Sequence, residues 1–97
     1  MVKHIVAFRL KGTPEQRSEV ALKFKEALLA LPEVIEVLES IEVGINQNPA
    51  EKWDVVLTAI LPKLSDVDVY AKHPAHVAAA SIIGPFKDDR ACVDYEF

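Results

Sequence analysis

The chain has 97 residues, of which 51% are hydrophobic, and its 11 basic and 15 acidic side chains give a net charge of −4. A domain of this length buries only about two thirds of the surface that its unfolded chain exposes, so this apolar content indicates that a partner subunit covers part of the surface. The basic residues form no cluster that could neutralise a phosphate backbone, and we expect no nucleic acid among the partners.

The N-terminal segment predicts a strand and not a targeting sequence. Residues 2–10 alternate, with His4 on the same face as Val6 and Phe8, and both faces carry apolar side chains. No apolar run is long enough for a signal core or a membrane span, which predicts one cytoplasmic domain over residues 1–97. An inward-facing histidine needs a hydrogen-bond partner, so His4 is either satisfied by a neighbouring group or belongs to a site.

A capping box predicts the start of the first helix. Thr13 precedes Pro14 at the first helical position, and Gln16 follows three residues after the cap. Apolar residues then recur at helical spacing until Pro32 ends the helix. The helix has one core face and one charged face, and it offers no candidate site residue.

Two strands are predicted next. Residues 34–44 are β-prone with polar alternate positions, which is typical of a strand at a sheet edge. After a polar loop, residues 53–61 form a strongly β-prone run that Pro62 ends. Asp54 lies at the mouth of this third strand, where an aspartate either caps the loop or acts as an acid or base.

The stretch from Tyr70 to His76 concentrates the proton chemistry of the chain. A helix starting at Ser65 should stop near His73, because Pro74 disfavours helical geometry in the preceding residue and then starts a second helix. That places His76 in a first turn, where the helix dipole disfavours imidazolium. A neutral His76 can accept a proton, and Tyr70 can donate a hydrogen bond to a polarised carbonyl. The alternative is that these side chains only cap or pack the helix break.

The last strand is predicted over residues 90–97, after a turn at Asp88 and Asp89. Its single cysteine, Cys92, excludes an internal disulfide and has no partner for a thiolate metal site or a redox pair. The order βαββαβ predicts an α+β fold with a four-stranded antiparallel sheet and its helices on one face. The other face must then be buried, and two such sheets meeting face to face close a barrel whose interior would hold His4 and Asp54.

At this point the chain resembles the stress-responsive A/B barrel family, the Dabb domain, of the dimeric α/β-barrel superfamily. The resemblance extends over the whole chain. The segments that carry it are Val2-Lys3-His4-Ile5-Val6, Leu31-Pro32-Glu33-Val34, Glu42-Val43-Gly44, Tyr70-Ala71-Lys72-His73-Pro74-Ala75-His76 and Val93-Asp94-Tyr95.

The resemblance implies a ferredoxin-like subunit, a homodimer and a pocket between sheet and helices, but no single activity. A plant polyketide cyclase of the family is similar in having a tyrosine and a histidine placed like Tyr70 and His76, and a first-strand histidine matching His4. Where that enzyme has a third-strand histidine, this chain has Asp54.

Two functions remain open. One is a cofactor-free and metal-free enzyme acting on a carbonyl substrate, with His76 as base, Tyr70 as hydrogen-bond donor, and His4, Asp54 and His73 shaping the pocket. The other is a non-catalytic dimeric module that binds a ligand or serves a stress response. Oxidative chemistry of the kind that cofactor-free monooxygenases of the superfamily perform has less support from this motif.

Overall fold

The computed structural model describes all 97 residues and contains four strands and three helices. In chain order they are β1 (Val2–Leu10), α1 (Pro14–Leu29), β2 (Ser40–Ile45), β3 (Val55–Leu61), α2 (Ser65–Lys72), α3 (Pro74–Ile83) and β4 (Lys87–Glu96). Short 3₁₀ turns follow α1 and α3. The predicted βαββαβ order is therefore confirmed, with the second helical segment divided into α2 and α3. None of the helices is long and apolar enough to span a bilayer.

The strands form one antiparallel sheet in the order β2-β3-β1-β4. Alternate residues of the central strand β1, including His4 and Phe8, are less than a tenth exposed. They point toward the helices, where the ring of Phe8 meets that of Phe24 on α1 with centroids 5.5 Å apart. We call this side of the sheet the helix-covered face, and the core lies between it and the helices.

The opposite side of the sheet, the open face, carries Ile5 of β1 with its cross-strand partners Thr58 and Val93. Several apolar side chains on it remain solvent-accessible in the single subunit, among them Val56 at 41%, Val93 at 60% and Tyr95 at 42% exposure. No element of the chain covers this side. The open face is thus the unpartnered apolar surface that the composition indicated.

Local chemistry explains the helix boundaries. Thr13 and Gln16 form the predicted capping box, in which each side chain accepts a hydrogen bond from the other residue's backbone N–H. His73 adopts an extended backbone, with φ −61° and ψ 135°, and ends α2 while Pro74 begins α3. The break between the two helices is therefore where the sequence predicts it.

The limits of two strands differ from the prediction. β2 begins at Ser40 and not at residue 34, because residues 34–39 form successive turns in which Ile35 and Leu38 pack into the core. β4 begins at Lys87, since Asp88 and Asp89 continue the pairing with β1 instead of turning the chain. As an edge strand whose residues Asp88 and Asp89 are exposed, β4 accommodates acidic side chains that a central strand would exclude.

Candidate functional site

A cavity of about 440 Å³ lies between the helix-covered face and the helices α2 and α3. Its walls are largely apolar, and its polar lining residues are His4 from β1, His76 from α3, and Lys87, Arg90, Cys92 and Asp94 from β4. We call it the His4–His76 cavity. An apolar pocket with a few convergent titratable groups is the usual form of a small-molecule site.

His4 and Asp94 form the closest polar contact in this cavity. The two residues face each other across β1 and β4, and His4 Nδ1 lies 2.5 Å from Asp94 Oδ1. Because a carboxylate can only accept, Nδ1 is the ring atom that donates to Asp94, and in the neutral form of the ring the lone pair lies on Nε2. The hydrogen bond to Asp94 thus holds the buried imidazole of His4 in one orientation.

Cys92 lies beside this pair, with its Sγ 3.6 Å from His4 Nδ1. Burial and the charge of Asp94 raise the pKa of the Cys92 thiol, while Arg90 opposes them. Ligand atoms of His4, Cys92 and Asp94 all lie within 4.8 Å of one another, and these residue types can ligate zinc. A metal ion would first have to displace the hydrogen bond between His4 and Asp94.

His76 is fixed by the helix break. Its Nδ1 lies 3.0 Å from the carbonyl oxygen of Ala71 near the end of α2, to which it donates, so Nε2 is the ring atom that can accept a proton. Burial lowers the pKa of His76, the bond to Ala71 opposes this, and His4 and Arg90 lower it further. The direction agrees with the sequence-based expectation, and His76 is neutral near pH 7.

Tyr70 is completely buried against the two histidines. Its ring centroid lies 4.5 Å from that of His76 and 5.8 Å from that of His4. Its hydroxyl group has no hydrogen-bond partner, and burial raises the pKa of the phenol well above its usual value. A buried hydroxyl without a partner costs about 1–3 kcal/mol. Tyr70 does not itself line the cavity, whereas both histidines that its ring contacts do.

His73 and Asp54 lie outside the His4–His76 cavity. The Nδ1 atom of His73 accepts a hydrogen bond from the backbone N–H of Ala75 at 3.0 Å, which caps α3. Asp54 accepts the backbone N–H of Leu10 at 2.7 Å, at the far end of β1 from His4.

The antiparallel register explains the position of Asp54. Val55 stands opposite Phe8, so the residue before β3 meets the C-terminal end of β1. Asp54 lines a separate polar surface cleft with Arg17, so it does not shape the pocket around His76 as was expected from the sequence. The expectation that His4 faces a barrel interior is wrong as well, because His4 lies on the helix-covered face.

The β4 residues of the cavity were not recognised from the sequence. Alternation does place Cys92 and Asp94 on one face of the last strand, but it does not say which strand they meet. The register that sets His4 opposite Asp94 is a long-range pairing, and a single sequence carries no direct signal for it.

The helix break at Pro74, the four-stranded antiparallel sheet and the two histidines of the cavity can now be compared with known families. Residues 2–97 match the family model described as the stress responsive A/B barrel domain, Dabb. The chain belongs to the Dabb family. No curated protein sequence is significantly similar to this Dabb chain.

Solved structures similar to this Dabb chain share its ferredoxin-like fold. A dimeric protein of unknown function from Bacteroides fragilis is 50% identical, with TM-score 0.96 over 99% of this chain and 95% of that one. A dimeric ferredoxin-like protein of unknown function from Thermobifida fusca is 28% identical, with TM-score 0.77 over 99% and 90%. The hydroxynitrile lyase from Passiflora edulis is 16% identical, with TM-score 0.69 over 97% and 90%, which is a likeness of fold alone.

The lowered pKa of His76 predicts a loss of stability in mild acid. The folded state disfavours protonation of this ring, so its contribution to the free energy of unfolding is complete above the ordinary pKa of 6.5 and is lost as the pH falls toward the lower folded value. Urea unfolding between about pH 5 and pH 7.5 measures this effect. We expect His76→Gln to reduce the pH dependence; identical profiles for His76→Gln and the wild type would contradict the assignment.

Proposed function

We propose that this Dabb protein is a cofactor-free enzyme that moves a proton to and from the carbon next to a carbonyl group. The observation that carries the proposal is His76, whose Nδ1 is occupied by the Ala71 carbonyl while its neutral ring lines the cavity. A histidine in this state presents Nε2 as a general base at neutral pH.

In the proposed reaction, His76 Nε2 takes a proton from the carbon beside the substrate carbonyl and an enolate forms. The enolate carbon then bonds to a second carbonyl carbon, and the oxygen of that carbonyl receives the proton from His76. No electrons enter or leave, so the step needs no redox partner. His4, oriented by Asp94, is proposed to position the substrate through its Nε2 atom.

Tyr70 is proposed as the donor to the developing oxyanion. Its raised pKa keeps the phenol protonated, and its hydroxyl has no bond to give up when a substrate oxygen arrives. Because Tyr70 is fully buried and does not line the cavity, the proposal requires that the side chains around it move to let the substrate carbonyl reach the hydroxyl.

The proposed active form is a homodimer in which two open faces meet. The exposed apolar side chains of this face support it, and the similar Bacteroides fragilis and Thermobifida fusca proteins are described as dimeric. The His4–His76 cavity lies on the helix-covered face, so each subunit keeps its own cavity.

The second candidate is a non-catalytic dimeric module that binds a ligand in the same cavity. The complete burial of the Tyr70 hydroxyl favours it, because a catalytic donor has to reach the substrate. In that case Tyr70 and His76 determine only affinity and packing.

Deuterium exchange separates the two candidates. Proton abstraction beside a carbonyl incorporates deuterium from D₂O into acetoacetate and its methyl ester, and longer poly-β-keto compounds should also cyclise. NMR of the substrate measures both without any added cofactor. Exchange no faster than in buffer for all of these compounds would reject the enzyme proposal and favour the binding module.

Tyr70→Phe should lower the enzyme-catalysed exchange about tenfold to a hundredfold, the effect of losing one hydrogen bond to a charged group. Its free energy of unfolding should not fall, because the change removes a buried hydroxyl that has no partner. Exchange rates and urea unfolding of the same variant test both statements. Unchanged exchange would remove Tyr70 from the mechanism.

A further inference from the structure

The β4 wall of the His4–His76 cavity carries two cationic side chains. Arg90 stands opposite Phe8 on the helix-covered face, in the same alternating row as Cys92 and Asp94. The register shifts between Arg9 and Leu10, and this shift sets Lys87 opposite Leu10 and into the same wall. They are the only lysine and arginine among the residues that line the cavity.

Neither Arg90 nor Lys87 forms an ion pair with an acidic side chain. The Lys and Arg ion pairs of the chain are Arg9–Asp88, Lys23–Glu19 and Lys72–Asp68, and none of these residues lines the cavity. The one carboxylate in the lining belongs to Asp94, and its Oδ1 atom accepts a hydrogen bond from His4 Nδ1 at 2.5 Å. The wall therefore holds two positive charges without a protein counterion.

Arg90 and the candidate base, His76, line the same cavity. The charge of Arg90 contributes to the lowered pKa of His76, and it also affects the pKa of Cys92. An anionic group bound by Arg90 would thus lie in the same cavity as His76. The guanidinium can pair with two oxygens of one oxyanion, and Lys87 adds a second charge.

The whole chain carries a net charge of −4, which repels anions at long range. Lys87 and Arg90 are exposed and line a largely apolar cavity, where they reverse that sign locally.

We propose that the His4–His76 cavity binds keto compounds that carry an oxyanion, with a carboxylate held by Arg90 and Lys87. The proposal rests on the proposed function, because it names the substrate class of the same site. It accounts for two cations that proton transfer at His76 does not itself require.

The test compares acetoacetate with methyl acetoacetate, which has the same keto group but no charge. Binding is followed by NMR titration of the ring protons of His4 and His76, with inorganic phosphate as a third probe. We expect the wild type to bind acetoacetate more tightly than the ester. Arg90→Gln should weaken acetoacetate binding about tenfold to a hundredfold and leave ester binding unchanged. Arg17→Gln, in the separate polar cleft, is the matched control and should change neither.

Equal affinity for acid and ester, or an unchanged affinity in Arg90→Gln, would overturn the anion site. Phosphate that binds more tightly than acetoacetate and depends on Arg90 would overturn the carboxylate assignment in favour of a phosphorylated substrate. Acetoacetate binding that depends on Arg90 without any deuterium exchange would retain the anion site and reject the enzyme. If acetoacetate and its methyl ester both exchange deuterium, and the exchange rates are the same in Arg90→Gln as in the wild type, the enzyme would be retained and the anion site rejected.

Discussion

His76→Ala should lower the turnover of a keto substrate about a hundredfold to ten-thousandfold, the usual effect of losing a general base. The ring lies in a half-buried position and its only hydrogen bond goes to a backbone carbonyl, so alanine removes the base and disturbs little of the core. Deuterium exchange or cyclisation, measured at saturating substrate, gives the change in the rate constant directly.

His73→Ala is the matched control for this substitution. His73 lies three residues earlier and caps α3 without lining the cavity, so its loss should cost about 1 kcal/mol of stability and leave turnover intact. Equal losses of turnover in both variants would mean that the helix break, and not the imidazole of His76, sustains activity. Full turnover in His76→Ala would exclude His76 from the mechanism.

Val93→Asp should convert the proposed dimer into monomers. Val93 is 60% exposed in the single subunit and sits on the open face, so the isolated subunit accommodates an aspartate. In a symmetric dimer the same change places a carboxylate on each side of one interface. An unpaired buried charge costs about 3–5 kcal/mol, which corresponds to a dissociation constant more than a hundredfold higher.

Light scattering and sedimentation of the Val93→Asp variant measure the loss of the dimer. Val69→Asp is the control, because Val69 is a valine of similar exposure, 53%, on α2 and away from the sheet. We expect the control to keep the mass of two subunits. A monomeric wild type at micromolar concentration would reject the dimer, and a dimeric Val93→Asp would place the interface elsewhere.

The elements with strong local signals are predicted well. The alternation of β1, the capping box at Thr13 and the break at Pro74 each depend on residues a few positions apart, and the structure has all three where they are predicted. The association of Tyr70 with His76 follows from the same break and is present as a ring contact.

The features that the sequence did not predict depend on long-range pairing. Asp54 has the same sequence neighbours whether it caps Leu10 or meets His76, and only the register of β1 with β3 decides between them. The register of β1 with β4 likewise brings Asp94 to His4. Residues 34–39 have β-prone side chains, but the apolar burial of Ile35 and Leu38 is achieved equally well in a turn, so local propensity did not determine their structure.

Because successive side chains of β4 point to opposite sides of the sheet, substitutions in this strand affect either the cavity or the open face. Arg90, Cys92 and Asp94 point toward the cavity, while the intervening Ala91 and Val93 point toward the open face. A substitution on the first set alters the lining of the cavity and leaves the open face, where the proposed dimer forms, untouched. Substitutions of the cavity-facing residues of β4 can therefore change which ligand binds without changing the face at which the proposed dimer forms.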